Sequence, residues 1–275
     1  MSALADALAY DFVRQALAAG LLASVLCGVL GTFVVVKRLV FISGGVSHAA
    51  FGGLGACHYL GLDHRLGAAA VAILAAVALG GAHRRGWARS HDAMIGILWA
   101  AGMALGIVFI AATPGYAPDL TTYLFGSLLT VGESDVWLTL ALVVIVALLL
   151  AAFFKELVAV AFDEEFAAVQ GVPVGPFMTL LMVLIALSVV LLIQLVGIIL
   201  VIALLTIPPV IALMLVRSFG AVLLLSTLIG SLITVGGLAL SYAWNLPSGP
   251  AIVLLGVALL PLPLVRRWAP RRRQS

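Results

Sequence analysis

Charge is what this sequence has least of: Asp, Glu, Lys and Arg together make up 9% of its 275 residues, while apolar types make up 64%. With a mean hydropathy of +1.29, a water-soluble domain would have to expose large apolar patches, so the bilayer is the solvent in which this chain folds. Cysteine is scarce too. Cys27 and Cys57 sit in separate apolar runs without CxxC spacing, which reads as buried packing and argues against a disulfide or a thiolate-held metal. The phosphate loop GxxxxGKS/T, the HExxH zinc motif and any nucleophile paired with a base are missing. No catalysis is therefore expected on this chain, and any ATP hydrolysis falls to another one. Charged relays inside the apolar runs are missing as well, which argues against a proton-driven exchanger. The formal charge is only +3; it arises from short arginine clusters and speaks to membrane orientation, with no nucleic-acid partner implied.

Present instead are apolar runs at about 16–36, 43–61, 66–82, 93–112, 137–154, 177–195, 197–216, 219–241 and 250–265, each near the roughly 20 residues that a crossing helix needs. They predict an all-α polytopic transmembrane helix bundle of eight or nine spans, with residues 1–275 as one domain. The stretch from Phe177 to Val216 is about twice one span, and Gln194 and Gly197 are expected to mark its bend. Pro208 and Pro209 remove two backbone donors and would interrupt a straight helix, which keeps eight spans open. Arg84, Arg85 and Arg89 in one loop, and Arg266, Arg267, Arg271, Arg272 and Arg273 in the tail, place both in the cytoplasm by the positive-inside rule. Lys37, Arg38 and Arg217 fall inside by the same rule; 62–65, 113–136, 244–249 and the N-terminus fall outside. Met1 to Gln15 lacks a basic region followed by a cleavage site, so the first span is expected to be retained. Thr121 to Thr130 is too short to cross and reads as a helix lying on the outer surface or dipping into it.

The second span reads SGGVSHAAFGGLGAC from Ser43 to Cys57. At i+4 spacing, Gly45, Ala49, Gly53 and Cys57 form one ridge, and Gly44, His48, Gly52 and Ala56 form another. Ridges this flat either let neighbouring helices close up or leave open volume beside His48 along which something passes. An ionisable side chain within a span is a functional candidate by default. Imidazole also suits zinc and similar transition ions, and a single imidazole binds them weakly, as a conduit requires. The alternative is a neutral structural histidine bonded to a backbone carbonyl or to the Ser47 hydroxyl. Near the outer end of the hairpin, His58, Asp63 and His64 either collect a cation or form a solvated polar loop. His83, His91 and Asp92 border the cytoplasmic loop after the third span. They either meet a departing ion or are interfacial, with Asp92 capping the next helix.

The cytoplasmic loop at about 155–176 contains FDEEFAAVQGVPVGP. Asp163 as N-cap, Glu164 and Glu165 in the first turn, Gly171 as the stop and Pro173 beyond it predict a short independent helix. Phe162, Phe166 and Val169 make it oddly apolar for a connector. It either docks in a partner's groove or rests on the membrane surface.

These residues resemble the ABC-3 family of permeases, the membrane subunits of binding-protein-dependent importers for zinc, manganese or iron. Five blocks carry the resemblance almost end to end: VKRLVFISGGVSHAAFGGLG at 36–55, DAMIGILWAAGMALGIVFI at 92–110, TYLFGSLLTV at 122–131, LVGIILVIALLTIPPVIA at 195–212 and LPSGPAIVLL at 246–255. The loop helix, with Glu165, Ala167 and Gly171, is similar to the EAA-type coupling loop that docks on the ATPase subunit of such importers.

The resemblance implies a homodimer of permeases, cytoplasmic ATP-binding subunits and an extracytoplasmic metal-binding protein. These would assemble in a bacterial or archaeal cytoplasmic membrane, with the C-terminus inside, in an arrangement similar to the cobalamin and siderophore importers. It implies that Phe162, Asp163, Glu164, Glu165, Phe166, Ala167 and Gly171 couple to the ATPase. It further implies that His48 lines a transient pathway used by alternating access, and that the divalent metal ion is cargo rather than a bound cofactor. Many members carry an aspartate one turn before the histidine, within GDxxSH; here Gly44 of SGGVSH stands in that place and a charged oxygen ligand is lost. A permease for a larger chelate, and an ATP-independent channel or carrier, are the competing expectations.

Overall fold

A computed structural model describes residues 10–84, 91–114, 126 and 128–263. Arg85, Arg89, the tail arginines, residues 115–125 and 127, and the side chains of Arg84, His91 and Asp92 lie outside the described residues. Among the described residues every regular element is helical: α1 Asp11–Val36, α2 Val40–Leu60, α3 His64–Arg84, α4 His91–Ala112, α5 Glu133–Ala152, α6 Phe154–Phe162, α7 Glu164–Val169, α8 Val174–Val196, α9 Ile198–Leu215, α10 Phe219–Trp244 and α11 Ser248–Leu259. Of the predicted outer segment, Gly126 and a single 3₁₀ turn at Leu128–Thr130 are described.

Eight helices, α1–α5 and α8–α10, are long and apolar enough to cross a membrane. Among the described residues α11, with 12 residues or about 18 Å, is shorter than the roughly 30 Å core and is not one of these eight. The Phe177–Val216 stretch instead forms two full helices that turn at Gly197, whose φ of +80° favours glycine.

The proline expectation needs correcting. Pro208 and Pro209 lie inside α9, which continues to Leu215. The missing N–H groups leave the carbonyls of Leu204 and Leu205 without their usual helical donors. The neighbouring helix accommodates this: the Leu205 carbonyl abuts Gly31 of α1, where a Cβ would lie 2.4 Å from its oxygen. Prolines persist in membrane helices where a neighbour absorbs the local change in this way.

Helix α6 is a second departure. The apolar run of the fifth span carries no glycine or proline to mark its end, yet the chain turns at Phe153 (φ −119°, ψ 28°). It starts again as a short helix that buries Leu157, Val160 and Ala161.

Small residues bring the central helices together. On the α1–α10 seam, a Cβ at Gly28 would lie 2.6 Å from the Thr227 Cα. Hydroxyl pairs join the same seam, Ser24 to Thr234 at 2.8 Å and Thr32 to Ser226 at 3.3 Å. Lipid supplies no hydrophobic drive between helices, so close backbone approach and such bonds, about 0.6 kcal/mol each, hold the bundle.

Residues that the charge pattern groups on one side meet at one end of the bundle. At one end Lys37, His83 and Glu164 meet. At the other, Arg65 pairs with Asp135 at 2.7 Å, and the Gly126 backbone lies against Val196 and Gly197.

Candidate functional site

The glycines of α2 are used for contact. A Cβ at Gly52 would lie 3.0 Å from the Gly102 carbonyl oxygen, and one at Gly55 would lie 2.6 Å from that of Gly106, so α2 and α4 run backbone against backbone. On another side, a Cβ at Gly53 would lie 2.2 Å from the Gly67 carbonyl oxygen of α3. The flat ridges thus serve close packing within one chain rather than an open passage between its own helices.

His48 is 8% exposed in this setting. Its ring lies flat on the indole of Trp99 in α4, with centroids 4.1 Å apart and planes at 12°. Its Nδ1 is buried and has no hydrogen-bond partner among the described residues, while the neighbouring Ser47 hydroxyl donates to the Ser43 carbonyl at 2.5 Å. Gly44 lies under the same indole: a Cβ there would meet Trp99 Cζ3 at 3.6 Å, an ordinary contact. Sequence reasoning passes over Trp99, because 50 residues separate it from its partner. The available signal was register, since His48 and Trp99 each lie eight residues past the start of α2 and α4, at Val40 and His91.

At the opposite end of α2, the rings of His58 and His64 come within 6.2 Å. The Asp63 carboxylate accepts the Arg65 backbone N–H at 2.8 Å, tying the start of α3. Among the described residues no three His, Cys, Asp or Glu side chains gather as a metal site, so His58, Asp63 and His64 are neighbours without converging.

The loop helix forms as its capping residues dictate. Asp163 accepts the Phe166 N–H at 2.9 Å. The chain leaves α7 through Gly171 at φ +84°, with Gly171 N–H bonding the Ala168 carbonyl and Val172 N–H the Ala167 carbonyl, a Schellman ending. Ala167 is buried, whereas Phe166 is 58% and Val169 87% exposed. Phe162 is exposed as well, but its ring also packs edge-on against Phe219 at 5.5 Å.

Glu164 is not the free first-turn acid that the sequence suggests. Its carboxylate takes the Lys37 ammonium at 2.5 Å and His83 Nε2 at 2.7 Å, so α7 is tied to the ends of α1 and α3. Burial alone would push this carboxyl up, but the hydrogen bonds and charges of Lys37 and His83 prevail and hold it below its ordinary value. The cluster borders a cavity of about 210 Å³ lined also by Arg38, Phe41 and Met178. Helix α4 is described from His91 onward, and the expected capping by the Asp92 side chain lies outside the described residues.

Residues 9–266 match the ABC 3 transport family. The chain belongs to that family. It is 43% identical over 255 residues to an uncharacterized membrane protein of Synechocystis, covering 93% of this chain and 90% of that one. It is 32% identical to the manganese transport system membrane protein MntC of Halalkalibacterium halodurans, covering 98% of this chain and 94% of the relative. Among solved structures, PsaBC from Streptococcus pneumoniae in complex with Fab superposes with a TM-score of 0.81 at 30% identity, covering 93% of this chain and 91% of that one. The multi-pass helical fold is therefore that of an ABC 3 permease.

Proposed function

We propose that this permease imports a divalent transition metal, manganese foremost, into the cytoplasm by alternating access. It works as a homodimer with a separate ATP-binding subunit inside and a metal-binding protein outside, in a bacterial or archaeal cytoplasmic membrane. The observation that carries the reading is α7, a capped helix tied by Glu164 to two transmembrane helices while Phe166 and Val169 stay exposed. A mere connector has no need of an apolar outer face and an ionic anchor together; a helix that must receive a partner and pass on its movement needs both. The cytoplasmic side of α7 follows from the positive-inside assignment of Lys37 and Arg38.

Manganese is put first because relatives at 31–33% identity bear that name; the single imidazole of His48, without a second charge to trap the ion, suits passage and does not itself choose the metal. The reading for a larger chelate depended on a wide glycine-lined space beside His48. The Gly52–Gly102 and Gly55–Gly106 contacts close the space between α2 and α4 within one chain, which supports the ion over the chelate.

Cells carrying the intact system and given radioactive manganese, zinc or iron test this reading. His48→Ala is expected to lower uptake of the cognate metal per assembled complex by about 10- to 100-fold, the range seen when a metal centre loses an important interaction. Unchanged uptake of all three metals would remove His48 from the pathway.

A further inference from the structure

A histidine that ligates a cation nearly always bonds its second nitrogen to a carboxylate, a carbonyl or water, which fixes the plane of the ring. In this chain Nδ1 of His48 is buried with no hydrogen-bond partner among the described residues. Trp99 supplies what fixes the plane, lying flat on the imidazole at 4.1 Å and 12°. The lone pair of a ring nitrogen lies in the ring plane, so a stack on the face restrains the imidazole without covering the atom that would meet a cation.

The backbone holds the indole in place. One turn along α4 from Trp99, a Cβ at Gly102 would lie 2.4 Å from Ala49 Cα and 2.6 Å from the His48 carbonyl oxygen. At this contact α4 is therefore locked in register with His48 itself. Gly44 lies under the far edge of the indole across α2, where a Cβ would meet Cζ3 at an ordinary 3.6 Å. Trp99 remains 41% exposed on its outer side, so its position is set by the helix pair and the stack rather than by enclosure.

We propose that Trp99 is the positioning residue of His48, its stack taking the place of the orienting hydrogen bond and holding the imidazole edge-on to the passing cation. The inference rests on His48 being a cargo contact. A ring held by a stack gains none of the basicity that a hydrogen-bonded carboxylate confers, which keeps binding weak and release fast, as passage requires.

The test uses the complete importer, permease with ATPase subunit and binding protein, in proteoliposomes with radioactive manganese, and rates are taken per assembled complex. Trp99→Leu keeps bulk and loses the stack; Trp99→Phe keeps a stacking ring. The leucine variant is expected to lower the maximal uptake rate about ten-fold, as for other outer-shell partners. Its half-saturating manganese concentration should stay unchanged, because capture by the external protein is untouched. The phenylalanine variant should stay within about two-fold of wild type by the same scale. In parallel, peptide mapping after diethyl pyrocarbonate treatment should show faster modification of His48 in the leucine variant than in the phenylalanine variant. Trp99→Met supplies the same comparison if Trp99→Leu does not assemble. Equal maximal rates for leucine, phenylalanine and wild type, or equal losses for leucine and phenylalanine, would overturn the proposal. A His48→Ala arm separates the two ideas: if that variant transports normally, the cargo role of His48 fails; if only the Trp99 variants transport normally, the positioning role fails.

Discussion

Phe166→Asp combined with Val169→Asp is expected to release the ATP-binding subunit and abolish uptake while the permease still folds in the membrane. Both side chains are exposed on α7, so the bundle gains little from them. Phe162 is left alone because its ring also packs on Phe219, and a substitution there would mix docking with folding. Burying a phenylalanine and a valine contributes about 2 kcal/mol each, which together correspond to a roughly thousand-fold change in association. Co-purification of the ATPase subunit with tagged permease checks this directly. Retention of the subunit by the double variant would place docking elsewhere.

The second large effect concerns the ionic anchor. Lys37→Glu sets two carboxylates together in a site where Lys37 is only 12% exposed, and Glu164→Lys removes the acceptor for both Lys37 and His83. Each single change is expected to lower the number of ions moved per ATP by about ten-fold, the equivalent of one charge-assisted hydrogen bond of roughly 1.5 kcal/mol. Lys37→Glu with Glu164→Lys together should recover to within about three-fold, since the pair is restored with its sign reversed. Failure of the swap to recover transport, with both singles impaired, would show that the charges act separately. The pH dependence has a definite sign. Because the Glu164 carboxyl is held below its ordinary value, its contribution is fully present above the unfolded carboxylate range and is lost only as pH falls through the lowered value. Coupling should therefore not change through Glu164 near neutrality.

Several features were readable in the sequence because the deciding residues were local. Asp163 and Gly171 announce both ends of α7, and Gly197 marks the α8–α9 turn. Long uncharged runs reveal the spans. What stayed hidden depended on distant partners. The glycines of α2 are equally compatible with packing and with passage until Gly102 and Gly106 on α4 are set against them. Lys37, His83 and Glu164 are far apart in the chain, and only the folding of α1, α3 and α7 brings them together. Pro208 and Pro209 obey the local rule that removes helical donors, yet α9 continues through them with the Leu205 carbonyl against Gly31 of another helix. Phe153 ends α5 without any breaker residue, so α6 left no sign in the composition.

The most direct measurement is accumulation of radioactive manganese inside proteoliposomes that contain the purified permease, with its ATPase subunit and metal-binding protein added or withheld. Import that requires both partners and ATP, and that falls by about 10- to 100-fold with His48→Ala, is the predicted result. Manganese accumulation by the permease alone, or ATP-driven import indifferent to His48, would contradict the account.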